Sequence, residues 1–203
     1  MAGKRIGVYG GSFDPIHVGH LAMADFVRQA ADLDQVLWVP TGKQPLKDRG
    51  PWATGEQRFR MVEASISGNP AFAATDREIR QDGPSYTIAT LDALKRQWPN
   101  AELRFIMGVD AANDLTNWQE PARILGDYHP IVMSRAGWSG PDWPMLEGIR
   151  PDARALITLV DAPQLEIASH QLREWIAGGR AARYLIPEGA WRIIVQERLY
   201  RER

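Results

Sequence analysis

The sequence predicts an α/β fold in which one doubly wound parallel sheet carries helices on both faces. Short apolar runs suited to strands recur along the chain, and most of them are separated by segments with the length and periodicity of helices. Such alternation favours a parallel sheet covered on both sides. With 203 residues, 44% of them hydrophobic, the chain can bury a core and is short enough for a single domain.

The first half of the chain alternates clearly between strand and helix patterns. Arg5–Gly10 is a short apolar run that ends in glycine, and an amphipathic helical pattern begins at Val18. A second strand is predicted over Gln35–Pro40. The sequence TGEQ at 54–57 then has the spacing of a capping box ahead of a helix. A weaker third strand is predicted over Ala71–Thr75.

The second half of the chain continues the alternation. Its predicted strands are Glu102–Gly108, Pro130–Arg135 and Leu156–Asp161. Its predicted helices are 86–97, a stretch with Pro121 near its start, a helix with Ser169 as its N-cap, and Gly189–Tyr200. Residues 136–148 are rich in glycine and proline and fit either a surface loop or a lid.

The composition excludes several classes of function. The net charge of −1 and the pI near 6.4 provide no general basic field, so we expect no nucleic-acid partner. The absence of cysteine excludes disulfides, thiolate nucleophiles and cysteine-ligated zinc. The chain shows no long apolar segment and no signal-peptide core, so we expect a cytoplasmic protein without a membrane partner.

The stretch YGGSFDPIHVGH, between the first strand and the first helix, has the composition of an anion site. Gly10 and Gly11 let the backbone approach a ligand closely, and the helix behind them presents N–H groups and a positive dipole end. Ser12 adds a hydroxyl donor, while the imidazoles of His17 and His20 can point to one side. Taken singly, the glycines also suit a tight turn, and each histidine also suits a packed or surface position.

The same stretch resembles the GGTFDPxHxGH signature of bacterial nicotinate-nucleotide adenylyltransferases, in the HxGH nucleotidylyltransferase superfamily, with serine for the usual threonine. The predicted sheet is then the Rossmann-like one. The resemblance implies that His17 and His20 bind the ATP phosphates and stabilise charge in the transition state. The ATP-site residues that it implies in this stretch are Gly10, Gly11, Ser12, Phe13 and Gly19. Neither a Walker loop nor a G-x-G-x-x-G dinucleotide motif occurs here.

Two further segments continue the resemblance. VPTGKQPLK is similar to the family's VPxxxPPHK, which assigns Lys47 to a substrate phosphate although Leu46 replaces the family's histidine. PSYTIATL is similar to SYTIDTL, which places Ser85, Tyr86 and Thr87 in the nicotinate-nucleotide site. By its residue type alone, Ser85 is also an ordinary helix N-cap.

The segment FIMGVDAANDLTNW resembles the family's GxDxxxxLxxW element. It implies an ATP site at Gly108 and Asp110, although Asp110 suits either ribose hydroxyls or a helix cap. Trp118 can stack on the positively charged pyridinium ring of the acceptor, or it can serve packing alone. Arg135 is assigned to the same acceptor site.

Late in the chain, IASHQLR resembles the family's ISSTxIR, whose hydroxyl and arginine hold ATP phosphates. Ser169 and Arg173 match, and they fall on one side of a helix. Ala168 and His170 replace a serine and a threonine. Whether His170 takes over the missing hydroxyl contact stays open from the sequence.

The resemblance implies transfer of the adenylyl group of ATP to nicotinate mononucleotide, with diphosphate released. It implies His17, His20, Lys47 and Arg173 as the catalytic set, and Mg²⁺ held mainly by phosphate oxygens rather than by protein ligands. We expect one domain over residues 1–203, with a small helical part from about 169, and a homo-oligomer stays open. The alternatives are another acceptor, such as nicotinamide mononucleotide or phosphopantetheine, or a non-catalytic nucleotide sensor.

Overall fold

Six strands of the chain form one sheet. The computed structural model describes residues 3–43, 50–134, 140–162 and 165–201. The strands are β1 (Arg5–Gly11), β2 (Gln35–Pro40), β3 (Phe72–Ala74), β4 (Glu102–Gly108), β5 (Ile131–Ser134) and β6 (Thr158–Asp161). Their order is β3-β2-β1-β4-β5-β6, and β4 is parallel to both β1 and β5. The order reverses between β1 and β4, which is the position where such sheets bind ligands. The Rossmann-like fold class is confirmed.

Helices lie between the strands. They are α1 (Val18–Ala30), α2 (Gly55–Ile66), α3 (Arg77–Arg80), α4 (Thr87–Gln97), α5 (Val109–Asn113), α6 (Pro121–Tyr128), α7 (Trp143–Ile149), α8 (Ala153–Leu156), α9 (Ser169–Ala177) and α10 (Glu188–Gln196). Two short 3₁₀ helices cover Leu115–Asn117 and Arg183–Leu185. Within the described ranges, no helix has the length and apolar character needed to cross a membrane.

The predicted capping box at the start of α2 is confirmed. The N–H of Gln57 donates to Thr54 Oγ1 at 3.2 Å, and the N–H of Thr54 donates to Gln57 Oε1 at 2.8 Å. Two N–H groups that the helix itself cannot satisfy are thereby paired. The start of α2 is therefore fixed by local sequence.

The chain divides into two compact units, which we describe separately. Unit 1 contains the described residues within Met1–Gly10, Ala24–Leu37 and Tyr86–Gln164. Unit 2 contains those within Gly11–Met23, Trp38–Ser85 and Leu165–Arg203.

In unit 1 the core follows the interior strands. Ile6, Val8 and Ile106 are at most 4% exposed, as expected for parallel strands that are covered on both faces. The register pairs Val8 with Phe105, two residues before β1 reaches Gly10 and three before β4 reaches Gly108. Both predicted ATP-site glycines of this unit therefore lie at the carboxyl ends of neighbouring strands.

In unit 2 the last helix, α10, packs against α2. A Cβ on Gly189 would lie 2.4 Å from the carbonyl oxygen of Ala64, so the two helices approach closely at this glycine. Beyond α10, the carboxylate of Glu197 accepts hydrogen bonds from Gln57 at 2.9 Å and from Arg60 at 2.6 Å. These contacts fasten the end of the chain to α2.

Two predicted helix and loop boundaries are wrong. The 136–148 segment contains the start of α7, because the carboxylate of Asp142 caps the N–H of Met145 at 3.1 Å and proline occupies the first turn. Residues 135–139 lie outside the described residues. The last helix ends at Gln196 rather than at Tyr200, and the residues after it turn into left-handed conformations at Arg198 (φ 54°) and Tyr200 (φ 65°).

Two other sequence expectations also need correction. The sixth strand begins at Thr158, because Leu156 still belongs to the short helix α8. The N-cap of α9 is Ala168, and Ser169 is already helical. Ser169 therefore does not cap this helix, and its hydroxyl is used elsewhere.

Candidate active site

The first loop, residues 12–17, lies in unit 2 and connects β1 to α1. A buried aromatic ring anchors it. Phe13 is 1% exposed and has a left-handed backbone with φ 45°, which is uncommon for a non-glycine residue. Its ring lies 5.2 Å from both Trp38 and the imidazole of His20. A Cβ on Gly11 would lie 2.8 Å from this ring. Gly11 is therefore required by the packing of Phe13.

His17 and His20 form a reciprocal capping arrangement at the start of α1. His17 precedes the first helical residue, and its Nδ1 accepts the N–H of His20 at 3.3 Å. In return, Nδ1 of His20 accepts the N–H of His17 at 3.2 Å. The two rings are stacked with their centroids 3.6 Å apart. This geometry is that of a capping box, with imidazoles in place of the usual hydroxyl and carboxamide.

The capping bonds fix the tautomers of both rings. Because each Nδ1 accepts a backbone N–H, the proton of each neutral ring is assigned to Nε2, which is then a donor. Burial lowers the pKa of His17 to about 4, so this ring is neutral at pH 7. In the ligand-free protein, the donor that His17 offers is therefore a neutral N–H.

Gly19 is required by the same pair of histidines. A Cβ at this position would lie 3.0 Å from Nδ1 of His17 and 3.1 Å from its Cε1. Almost any side chain would therefore press on the imidazole. The H-x-G-H pattern thus has a local explanation: two imidazoles cap one helix, and the residue between them must leave their space free.

Asp14 is a buried carboxylate that sequence reasoning missed. It is 2% exposed and accepts the N–H groups of Trp52 at 2.7 Å and Ala53 at 3.1 Å. It also accepts the hydroxyl of Tyr200 at 2.7 Å. The aspartate of the motif therefore connects three distant parts of unit 2. The only sequence signal for it was its place between Phe13 and a proline.

Arg58 supports the first loop from α2. It is 2% exposed and donates to the carbonyl oxygens of Ser12 at 2.8 Å and Thr41 at 2.7 Å. Burial lowers its pKa, and the nearby carboxylate of Asp14 opposes that shift. Arg58 thereby holds the loop after β1 and the residue after β2 in a fixed relation.

Ser169 and Arg173, both predicted from the sequence, bind the first loop. The hydroxyl of Ser169 donates to the carbonyl of Pro15 at 2.9 Å, and Nη1 of Arg173 donates to the carbonyl of Asp14 at 2.6 Å. The Arg173 guanidinium carbon also lies 5.5 Å from the ring centroid of Trp52. The buried Nε of Arg173 has no hydrogen-bond partner among the described residues. The structure thus brings Arg173 to the loop that leads into the histidine pair.

A second group of predicted residues lies in unit 1. Gly108 precedes α5, and a Cβ there would meet nothing within 4 Å. A Cβ on Gly10 would only make an ordinary contact, 3.7 Å from the ring of Phe105. The protein's own packing therefore does not require a glycine at either position. Asp110 is exposed in the first turn of α5, and Gly108 takes the N-cap position, so Asp110 is not the cap.

Of the residues predicted to contact the acceptor nucleotide, Tyr86 and Thr87 lie at the start of α4, whereas Trp118 follows the 3₁₀ helix Leu115–Asn117. Thr87 is the first residue of α4, where its N–H has no acceptor inside the helix, and the half-exposed Tyr86 is the N-cap. Trp118 is half-buried with its ring 6.0 Å from Phe105. The main-chain N–H of Trp118 donates to the carbonyl of Leu115 at 3.0 Å. The main-chain N–H of Thr87 is therefore better placed than that of Trp118 to meet a ligand.

Ser85 is not the helix cap that its residue type suggested. It precedes the N-cap of α4, is 8% exposed, and its N–H donates to the carbonyl of Lys43 at 2.8 Å. Its buried hydroxyl has no hydrogen-bond partner within the described part of the chain.

Two cationic residues that the sequence assigned to the site, Lys47 and Arg135, lie outside the described residues.

A metal site built from protein side chains is not found in the ranges that the structure describes. No group of three or more His, Asp or Glu residues there could hold a metal ion. The donors that the first loop brings together, imidazole N–H and guanidinium, suit phosphate oxygens.

Comparison with known proteins gives the class. Residues 8–195 match the model of the family described as cytidylyltransferase-like. Together with the Rossmann-like sheet and the paired histidines, this match defines a nucleotidyltransferase.

Individual relatives give the particular family. The chain is 39% identical over 201 residues to a protein named probable nicotinate-nucleotide adenylyltransferase from Rhodopirellula baltica, covering 98% of this chain and 94% of that protein. It is 41% identical over 201 residues to a protein of the same name from Roseiflexus sp., covering 99% and 100%. The chain belongs to the nicotinate-nucleotide adenylyltransferase family.

A solved structure supports the fold. The Plasmodium falciparum nicotinic acid mononucleotide adenylyltransferase complexed with NaAD superposes with a TM-score of 0.73 at 19% identity, covering 97% of each chain. At this identity the likeness concerns the fold. It extends over nearly the whole length of both proteins.

Proposed function

We propose that this enzyme transfers the adenylyl group of ATP to nicotinate mononucleotide, giving nicotinate adenine dinucleotide and diphosphate. We also propose that residues 1–203 act as one nucleotidylyltransferase domain with a small helical part from about 169. The observation that carries the proposal is the reciprocal pair of His17, at the end of the first loop, and His20, in the first turn of α1, next to a loop carbonyl that binds Arg173. The family of the chain supports the choice of substrates.

The chemistry requires charge stabilisation and positioning more than proton transfer. The 5′-phosphate of the acceptor has its second pKa near 6, so at pH 7 it is mostly a dianion and is already nucleophilic. Its oxygen attacks the α-phosphorus of ATP, the bond from that phosphorus to the bridging oxygen breaks, and diphosphate leaves with the bonding electrons. No general base is needed. The protein must hold two polyanions in line and stabilise the charge that develops.

Directed donors on the first loop can supply this stabilisation. In the tautomers fixed by the capping bonds, His17 and His20 each present an Nε2–H that needs no positive charge to donate. A bound phosphate would raise the pKa of the His17 ring and strengthen its bond to the phosphate. Arg173 adds a guanidinium whose position depends on Asp14. Ser12, Gly10 and Gly108 are the proposed contacts to the rest of ATP.

Enzymes of this class use a divalent metal with the nucleotide. We propose Mg²⁺ bound to ATP phosphate oxygens and water, because the donors found on the first loop are phosphate donors and Mg²⁺ retains several waters. Bound there, it would neutralise part of the charge on the departing diphosphate.

A diphosphate-release assay with ATP and nicotinate mononucleotide tests the proposal. The wild-type enzyme should release diphosphate, and His20→Ala should lower turnover by about 10²-fold or more with the fold retained. His129→Ala, which removes an exposed imidazole of unit 1, is the matched control and should keep wild-type turnover. Near-normal turnover in His20→Ala would remove this histidine from the mechanism. An inactive wild type would refute the proposed function.

A further inference from the structure

The end of the chain reaches the first loop through one buried hydroxyl. Tyr200 is 5% exposed, and its hydroxyl donates to Oδ1 of Asp14 at 2.7 Å. The two residues are separated by 186 positions in the sequence. Burial, followed by the charge of Asp14, raises the pKa of Tyr200, so its hydroxyl stays protonated and is a donor across the physiological range.

The backbone after α10 is shaped to place this ring. Arg198 and Tyr200 both have left-handed conformations, with φ of 54° and 65°, which L residues rarely adopt. The N–H of Leu199 between them donates to the carbonyl of Ile194 at 3.0 Å. The left-handed Arg198, whose N–H also donates to the carbonyl of Val195 at 3.4 Å, gives α10 a common type of helix end. The second left-handed residue, Tyr200, follows two positions later, and its ring is buried.

Asp14 links Tyr200 to the residues proposed to bind phosphate. Its main-chain carbonyl accepts Nη1 of Arg173 at 2.6 Å, and its carboxylate fixes the N–H of Trp52, whose ring faces the same guanidinium. Asp14 is also three residues before His17 on the first loop. A shift of Asp14 would therefore move the anchor of Arg173 and the approach to the histidine pair together.

We propose that Tyr200 is a positioning residue for the phosphate-binding residues, and that it acts through Asp14 to hold Arg173 and the first loop in the geometry that the chemical step requires. This inference rests on the proposed function. Tyr200 does not contact the nucleotide in this scheme. Its removal should therefore affect the chemical step, and it should leave binding of the acceptor unchanged.

Tyr200→Phe tests the proposal, because it removes the hydroxyl and keeps the packed ring. We expect kcat for diphosphate release to fall about tenfold, while KM for nicotinate mononucleotide stays within about twofold of wild type. Tyr184→Phe is the matched control: Tyr184 is 89% exposed, and its variant should keep both constants. A purely structural role for Tyr200 would lower the melting temperature and leave kcat per folded molecule unchanged.

A second variant, with 4-aminophenylalanine at position 200, keeps a weaker donor of the same reach. Its kcat should lie between those of wild type and Tyr200→Phe. If circular dichroism shows that Tyr200→Phe does not fold, the amine variant is tested in its place. A wild-type kcat in the folded Tyr200→Phe variant, or in the amine variant when it stands alone, overturns the inference. Absence of activity in the wild type would instead refute the proposed function.

Discussion

At the scale of the single residue, His17 combines a structural role with a proposed chemical one. Its Nδ1 caps the N–H of His20, and its Nε2–H is the donor that we propose for a ligand. Replacing it with alanine would remove both at once. Asparagine is among the best N-cap residues, so it can keep the cap while the imidazole Nε2–H is lost. This difference makes it possible to separate folding from chemistry.

We predict that His17→Asn folds normally and loses turnover by about 10²-fold or more. It should also change the pH dependence of stability. Because the pKa of His17 is about 4 in the folded state and about 6.5 when unfolded, the unfolded chain binds a proton first as the pH falls. Wild-type stability should therefore fall between about pH 6.5 and pH 4, by about 3 kcal/mol from this residue. Urea denaturation at several pH values measures this loss.

The control for this prediction is the variant itself, since asparagine does not titrate. The free energy of unfolding of His17→Asn should depend less on pH than that of the wild type across the same window. Parallel curves for the two proteins would show that His17 titrates normally in the folded state.

Glycines of the two units should respond differently to the same substitution. Gly11→Ala places a methyl group 2.8 Å from the Phe13 ring and should lower the free energy of unfolding by about 1–3 kcal/mol. Gly108→Ala meets nothing within 4 Å and should change stability by less than about 0.5 kcal/mol. If ATP passes Gly108, that variant should raise KM for ATP about tenfold. An unchanged KM would exclude Gly108 from the ATP site.

The sequence could identify residues that lie together in one motif, and it could not identify their supports. His17, His20 and Gly19 occur within four positions, and local capping explains their spacing. Asp14 depends on Tyr200, and Ser12 on Arg58, which are brought to the first loop only by the tertiary fold. Neither tyrosine nor arginine at those positions forms a recognisable pattern by itself.

At the scale of the element, α4 and α6 of unit 1 are joined by a charged network. Both nitrogens of the Arg123 fork reach the carboxylate of Asp92, at 2.8 and 3.1 Å, and the hydroxyl of Tyr128 donates to it at 2.5 Å. Although burial opposes it, hydrogen bonds from Arg123 and Tyr128 hold the pKa of Asp92 below its ordinary value. α4 begins at Thr87, so this network also fixes the helix that starts in the proposed acceptor site.

We predict that Asp92→Asn lowers the free energy of unfolding by about 1–2 kcal/mol, because it weakens two charge-assisted bonds on a carboxylate that is 25% exposed. Asp127→Asn is the control. Its carboxylate also pairs with Arg123, at 3.1 Å, but is 50% exposed and should contribute less than about 0.5 kcal/mol. Thermal and urea denaturation of the two variants compare them directly, and equal losses would contradict the assignment.

Long elements were predictable and short ones were not. The strand Glu102–Gly108 and the helix α2 carry strong apolar periodicity and clear end signals. The helices α3 and α8 have four residues each, which is too short for a periodic pattern. The missed start of α7 had a signal in its sequence, an aspartate followed two residues later by proline, but the glycine-rich context favoured a loop.

At the scale of the whole molecule, the net charge of −1 limits how substrates can be recognised. ATP and the mononucleotide are anions, and the protein offers them no general attraction. Binding must therefore depend on local donors, and we propose the imidazole N–H groups and Arg173 for this role. The composition alone allowed this conclusion, whereas the positions of the donors required the folded structure.

The same reasoning gives a prediction for the choice between nicotinate and nicotinamide mononucleotides. The acid carries one more negative charge, which the field of the whole molecule does not favour, so discrimination must come from nearby groups. The N–H groups of the first turn of α4, which have no acceptor inside the helix, and the dipole of this helix favour a carboxylate over an amide. We therefore predict that kcat/KM for the acid exceeds that for the amide at least tenfold, by about 1.4 kcal/mol.

This preference should persist between about 50 and about 500 mM salt. Over this range salt increasingly screens long-range attraction, whereas contacts at a helix start are screened less. Diphosphate release with each mononucleotide, measured across this range, checks the prediction. Equal constants for the two acceptors would refute selectivity for the acid. A preference that disappears at high salt would instead place the discrimination in long-range charge, against the local recognition that the start of α4 indicates.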